Sequence, residues 1–134
     1  SEATKAAGGT VEGVIPQRII QAKRMANNCD VMHVVNNMNE RKQKMKEEAH
    51  CFVCLPGSYG TLDEMMDVVA SGTVAEHRKP IFILNYKGFY AGLKQQAEHM
   101  RSLSFLPMQE QYAPCFVDTM DELIQALTTI KLKK

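Results

Sequence analysis

Nine residues, Pro56-Gly57-Ser58-Tyr59-Gly60-Thr61-Leu62-Asp63-Glu64, hold a proline, two glycines and a closing carboxylate. Glycines let a backbone approach a ligand closely. The apolar run Cys51-Phe52-Val53-Cys54-Leu55 precedes them and reads as a buried strand. Beyond them a helix is expected from about Thr61 to Ser71, with Leu62, Met65, Met66 and Val69 on one face and Gly72 as its stop. A strand, a small-residue turn and a helix start together form an anion cradle, because a helix N-terminus presents unpaired N–H groups and a partial positive charge. The ligand chemistry this suits is a phosphate. The turn is not a Walker loop, since no Gly-Lys-Ser/Thr follows, and its Gly57-x-x-Gly60 spacing is not the dinucleotide fingerprint.

Two charged side chains could act on what the cradle holds. Arg41 falls on a helical stripe with Met38, Met45 and Ala49 that should face a sheet. Either it snorkels to the surface past the methionines, or it delivers a cation into a ligand crevice. Glu64 also has two readings. Thr61-Leu62-Asp63-Glu64 fits a capping box, in which Glu64 only bonds back to the cap. Alternatively, a carboxylate beside a phosphate cradle orients water or stabilises positive charge on an anomeric carbon. Tyr59 either stacks on a base or covers the turn. His33 lies mid-strand and reads as a satisfied core histidine, while His50, His77 and His99 show no metal-ligand spacing.

The elements that must position these residues alternate. Strands are expected at 10–15, 31–35, 50–55, 80–85 and 114–117. Helices are expected at 38–49, 61–71, 88–101 (Phe89, Leu93, Ala97 and Met100 inward) and after the capping box Thr119-Met120-Asp121-Glu122 (Leu123, Ile124, Leu127 and Ile130 inward). Residues 1–7 read as a helix end stopped by Gly8-Gly9, and 17–30 are ambiguous between short helix and turn. Alternation of this kind predicts an α/β fold, a Rossmann-like parallel sheet with helices on both faces. The strand at 31–35 is apolar enough to be covered on both sides. Ligands of such sheets lie beyond the carboxyl ends of the strands, where both 36–41 and 56–61 fall, so both can reach one crevice.

The 134 residues are expected to form one domain with a real core. A net charge of +1 creates no field for nucleic acid or an anionic membrane, and no apolar run has the length of a membrane span. The opening Ser1-Glu-Ala-Thr-Lys is not a signal peptide. Cys51 and Cys54 form a C-x-x-C, but three residues apart on a strand they face opposite sides. They read as buried reduced thiols acting as small hydrophobes, which suits a cytoplasmic protein.

Met38-Asn39-Glu40-Arg41-Lys42 followed by the Pro56–Glu64 turn resembles the paired signatures M-H-x-R-K and P-G-G-x-G-T-x-x-E of the Lonely Guy family. Its members are cytokinin riboside 5′-monophosphate phosphoribohydrolases, long labelled possible lysine decarboxylases. The resemblance implies that Arg41 and Glu64 are catalytic, and that Lys42, Gly57, Ser58, Tyr59, Gly60, Thr61, Leu62 and Asp63 bind substrate. The implied reaction hydrolyses the N-glycosidic bond of a nucleoside monophosphate, without metal or organic cofactor, in a homodimer or larger homo-oligomer. A silent nucleotide or phosphorylated-cofactor carrier on the same scaffold is the alternative. Asn39 stands for the signature histidine and Ser58 for the second glycine; Lys23 and Ala70 stand where the family carries glutamate and threonine. The family's first strand and its G-S-S-x-G turn have no counterpart here, as expected of a piece of a longer chain or of a sheet covered by a partner.

Overall fold

The computed structural model describes residue 4 and residues 6–10, 12–16, 30–106 and 112–130. They divide into two compact units, Ser1–Glu48 and Ala49–Lys134. The ambiguous stretch 17–30 lies outside the described residues except for Asp30.

In the first unit, β1 (Glu12–Pro16) pairs in parallel with β2 (Val31–Val35), Val14 standing opposite His33. Helix α1 (Met38–Glu48) packs on both strands. Ahead of β1, Gly8 takes a left-handed φ of 85° and the Gly9 N–H donates to the Thr4 carbonyl at 2.9 Å, the expected glycine stop. Two expectations fail in this unit. Val31 and Val34 are exposed, so β2 is not covered on both faces. His33 is not a core residue: its Nε2 lies 3.1 Å from the exposed Glu12 carboxylate across the strand pair. Val31 and Val34, three apart on the strand, point to opposite faces, so each face of β2 has an exposed valine.

The second unit holds β3 (Phe52–Cys54), α2 (Tyr59–Thr73), β4 (Ile81–Leu84), a 3-10 turn (Tyr86–Gly88), α3 (Ala91–Ser102), β5 (Cys115–Val117) and α4 (Met120–Thr128). Its sheet is parallel in the order β3-β4-β5, with Cys54 opposite Ile83 and Leu84 opposite Val117. All four residues of the central strand β4 are buried. Alternation sends Ile81 and Ile83 to one side, against Met65 and Val68 of α2, Tyr90 and Tyr112. Phe82 and Leu84 go to the other, against Val117 and Leu123 of α4. Each such side chain, fully buried, stabilises by about 1.5–3 kcal/mol. This three-stranded sheet therefore has helices on both faces, as the alternation of elements predicts.

Several helix details differ from the sequence reading. Val68 is the buried residue of α2 where Met66 was expected, and Met66 is 42% exposed. Ile124 of α4 is exposed, as is Phe89, because α3 begins after it. Gly72 does not stop α2, which runs on to Thr73. Gly72 instead accepts the Tyr112 ring against its Cα, where any Cβ would collide with that ring. Among the cysteines, Cys54 is buried, Cys51 partly so and Cys115 exposed, all three as free thiols. Among the described residues no helix is long and apolar enough to cross a membrane.

Candidate active site

The start of α2 decides how the glycine turn is built. The helix begins at Tyr59, with Ser58 as N-cap in extended backbone (φ −106°, ψ −156°). The Leu62 N–H already donates to the Ser58 carbonyl at 3.1 Å. The expected capping box at Thr61 is therefore not formed. Thr61 stands inside the first turn, and Glu64 is the sixth residue of the helix, too far along to bond back to a cap. The Ser58 side chain makes no capping hydrogen bond either. Glu64 is thus not the third helical residue that a capping box requires.

The two glycines do different work. A Cβ on Gly57 would collide with the Thr61 side chain, 2.8 Å from its Cβ, so Gly57 is required for the turn to close on its own helix. A Cβ on Gly60 would meet nothing within 4 Å. Gly60, the second residue of α2, is therefore the glycine with open space beside it in the first helical turn.

Beside the turn lies an apolar pocket of about 560 Å³, wholly within the second unit. Gly57, Ser58, Tyr59 and Leu62 form one wall; Phe89, Tyr90, Gly92 and Leu93 form the other. It sits at the carboxyl ends of β3 and β4, between the starts of α2 and α3. Tyr59 is 89% exposed at its mouth. Gly60, Thr61, Asp63 and Glu64 are not in its walls. The second wall is absent from the sequence reading, although its signal was available. Asn85-Tyr86-Lys87-Gly88 follows a strand just as the first glycine turn does, and Lys87 and Gly88 take the left-handed φ values of 51° and 74° that re-aim the chain there.

Behind the pocket lies a small polar network. Tyr90 is 3% exposed. Its hydroxyl donates to the Leu55 carbonyl at 2.8 Å and lies 3.5 Å from the Cys54 thiol. Its own N–H donates to Asn85 Oδ1 at 2.7 Å. Burial, then the Cys54 neighbour, push the Tyr90 phenol up to about 12, against the opposing pull of the Gly57 backbone N–H. Burial also raises the Cys54 thiol; the Tyr90 hydrogen bond works against this and the Glu64 charge adds to it. Cys54 is accordingly a protonated core thiol rather than a nucleophile.

Arg41 and Lys42 belong to α1 in the first unit. Asn37 caps this helix, its Oδ1 accepting from the Glu40 N–H at 2.9 Å, and the Glu40 carboxylate accepts from the Asn36 N–H at 2.8 Å. The cap places Arg41 in the first turn. Its Nε donates to the carbonyl of Val14, the middle residue of β1, at 3.0 Å. Arg41 is therefore tied to β1 and does not snorkel past Met38, which is itself exposed. Ala70 lies exposed on α2, and Lys23 falls outside the described residues. Among the described residues no three His, Cys, Asp or Glu side chains cluster as a metal site.

Parallel strands alternating with helices on both faces of the sheet define a protein of the Rossmann-like α/β class. The family model described as "Possible lysine decarboxylase" matches residues 1–127. A cytokinin riboside 5′-monophosphate phosphoribohydrolase of Mycobacterium marinum is 33% identical over 94% of this chain and 67% of its own length. A protein of the same name from Arabidopsis thaliana is 31% identical over 98% of this chain and 58% of its own length. One from Mycobacterium tuberculosis is 29% identical, again over 94% of this chain and 67% of its own. The chain belongs to this family, the Lonely Guy group that its two motifs resemble, and spans between about half and two thirds of these relatives.

Proposed function

We propose that the protein hydrolyses the N-glycosidic bond of a nucleoside 5′-monophosphate, releasing the free base and ribose 5-phosphate. The observation that carries this reading is the geometry of α2. Its N-terminus opens from the end of β3 with the Ser58 hydroxyl not engaged as a cap, and Glu64 stands one turn further on, released from capping. In this reading the 5′-phosphate rests on the helix start at Ser58–Thr61, in the space left by Gly60. Ser58 donates a hydrogen bond to it.

The C1′–N bond breaks, its electron pair goes to the base, and positive charge builds on C1′ and the ring oxygen. Glu64 stabilises that charge and orients the water whose oxygen forms the new bond to C1′. One water proton leaves to solvent and the base takes one up, so the reaction balances without redox change. Arg41 supplies the cationic partner in the same reaction, its guanidinium suited to phosphate or sugar oxygens, and Lys42 adds to substrate binding. We assign the active assembly as a homodimer or larger homo-oligomer, which light scattering on the purified protein checks.

The test is incubation with adenosine monophosphate and with isopentenyladenosine monophosphate, followed by detection of ribose 5-phosphate. Turnover is expected, and Arg41→Ala or Glu64→Ala should each abolish it in a folded protein. Turnover that survives both substitutions would remove the mechanism. Saturable nucleotide binding without turnover would select the silent carrier.

A further inference from the structure

We propose that Tyr90 is a positioning residue that holds the phosphate-binding turn in its binding shape from behind. The proposal deepens the function given above and rests on its reading of Ser58–Thr61 as the phosphate seat. Strand β3 ends at Cys54 and α2 starts at Tyr59, so only four residues, 55–58, set the direction in which the helix start points. The first of these four is bonded to a buried phenol: the Tyr90 hydroxyl donates to the Leu55 carbonyl at 2.8 Å.

Tyr90 is in turn held from a second strand. Asn85, buried at the end of β4, accepts from the Tyr90 N–H at 2.7 Å, and its Nδ2 donates to Asp118 at 3.4 Å just beyond β5. The ends of β3, β4 and β5 are thereby tied through Tyr90 and Asn85 into one frame behind the pocket. The ring of Tyr90 lines that pocket, yet its hydroxyl is directed to backbone, so its role is to place the turn and not to touch the reacting bond.

The variant is Tyr90→Phe, which keeps the ring and removes the oxygen. Tyr112→Phe is the matched control: another buried phenol, donating to a backbone carbonyl, that of Lys79 at 2.7 Å, away from the turn. Amide hydrogen exchange at residues 57–60 should quicken about tenfold in Tyr90→Phe and stay at the wild-type rate in Tyr112→Phe, as expected when one hydrogen bond is lost locally. The KM or Kd for adenosine monophosphate should rise by a similar factor, while binding of adenosine, which lacks the phosphate, should not change. Unchanged exchange at the turn, or an equal loss in both variants, would overturn the proposal. If wild-type protein neither binds nor hydrolyses the nucleotide, the phosphoribohydrolase reading falls, and the exchange comparison still decides whether Tyr90 holds the turn.

Discussion

Helices α2 and α4 both begin near a Thr-x-x-Glu motif, and only one of them uses it. At α4, Thr119 is the N-cap: its hydroxyl accepts from the Glu122 N–H at 3.1 Å, and the Glu122 carboxylate accepts from the Asp118 N–H at 2.9 Å. At α2 the helix starts two residues ahead of Thr61, and the motif is swallowed into the helix body. The difference lies in what precedes each threonine. Asp118 follows β5 directly, so the box falls at the first possible helical residue. Gly57 and Ser58 precede the other motif, and the close approach of Gly57 to Thr61 lets the chain turn helical at Tyr59. The same four-residue motif thus caps a helix at one place and lies inside the helix at the other.

The comparison is broken most severely by neutralising each glutamate. Glu64→Gln should lower kcat by about 10²–10⁴-fold, the usual contribution of a catalytic carboxylate, with little change in melting temperature. Glu122→Gln should do the opposite, leaving kcat and KM unchanged while the melting temperature falls by a few degrees. Steady-state assays and thermal melts on the two variants check both halves. Equal loss of activity in both would show that Glu64 acts through stability alone.

The fold of the second unit was legible because periodicity reports burial directly. The all-apolar run Ile81–Leu84 could only be a central strand, and the β3–turn–α2 unit follows from residue types. What was not legible came from choices between near-equivalent registers. The motif at Thr61 is chemically as good a cap as that at Thr119, and only the packing of Gly57 on Thr61 decides against it. Met66 and Val68 flank the stripe of Leu62, Met65 and Val69 on opposite sides, and residue type alone does not say which of them the core takes. Tyr90 escaped notice because its role depends on a hydroxyl reaching Leu55, 35 residues away in the chain. His77 escaped for the same reason. Its Nε2 lies 2.8 Å from the Val68 carbonyl and its Nδ1 accepts from the Lys79 N–H, which makes it a structural tie between α2 and β4. For the first unit, the bond from Arg41 to Val14 spans 27 residues, and no spacing rule foretells it.

The two glycines of the α2 turn sharpen the comparison next. Gly57→Ala should cost about 1–3 kcal/mol, the usual penalty of overpacking, and should be partly rescued by Thr61→Ala, which removes the outer atoms it strikes. Gly60→Ala has no such collision. It should raise stability by up to about 1 kcal/mol, because alanine is the better helix former, and still weaken nucleotide affinity by filling the space assigned to the phosphate. Denaturant melts and binding titrations on the same two proteins separate these effects. Loss of stability in Gly60→Ala would contradict the open geometry at that position.

Alkali distinguishes the two helix starts by another route. The Tyr90 and Tyr112 phenols are both held up to about 12, Tyr112 by burial alone. A phenol that binds its proton more tightly folded than unfolded contributes stability in full below the unfolded value of about 10. That contribution is lost as pH rises from there towards 12. The melting temperature should therefore fall across this window, and Tyr90→Phe and Tyr112→Phe should each flatten the fall. Thr119→Ala, at a start that no phenol supports, should lower the whole curve without changing its slope.

The smallest effect separates the two threonines themselves. Thr119→Ala removes a formed N-cap and should cost about 1 kcal/mol. Thr61→Ala removes a β-branched residue from inside a helix, where alanine is favoured by a few tenths of a kcal/mol, so stability should hold or rise slightly. The same substitution in the same four-residue motif is thus expected to change stability in opposite directions. If Thr61→Ala costs as much as Thr119→Ala, then Thr61 does cap α2 in solution, Glu64 returns to the role of a capping residue, and the case for its chemistry loses the geometry on which it stands.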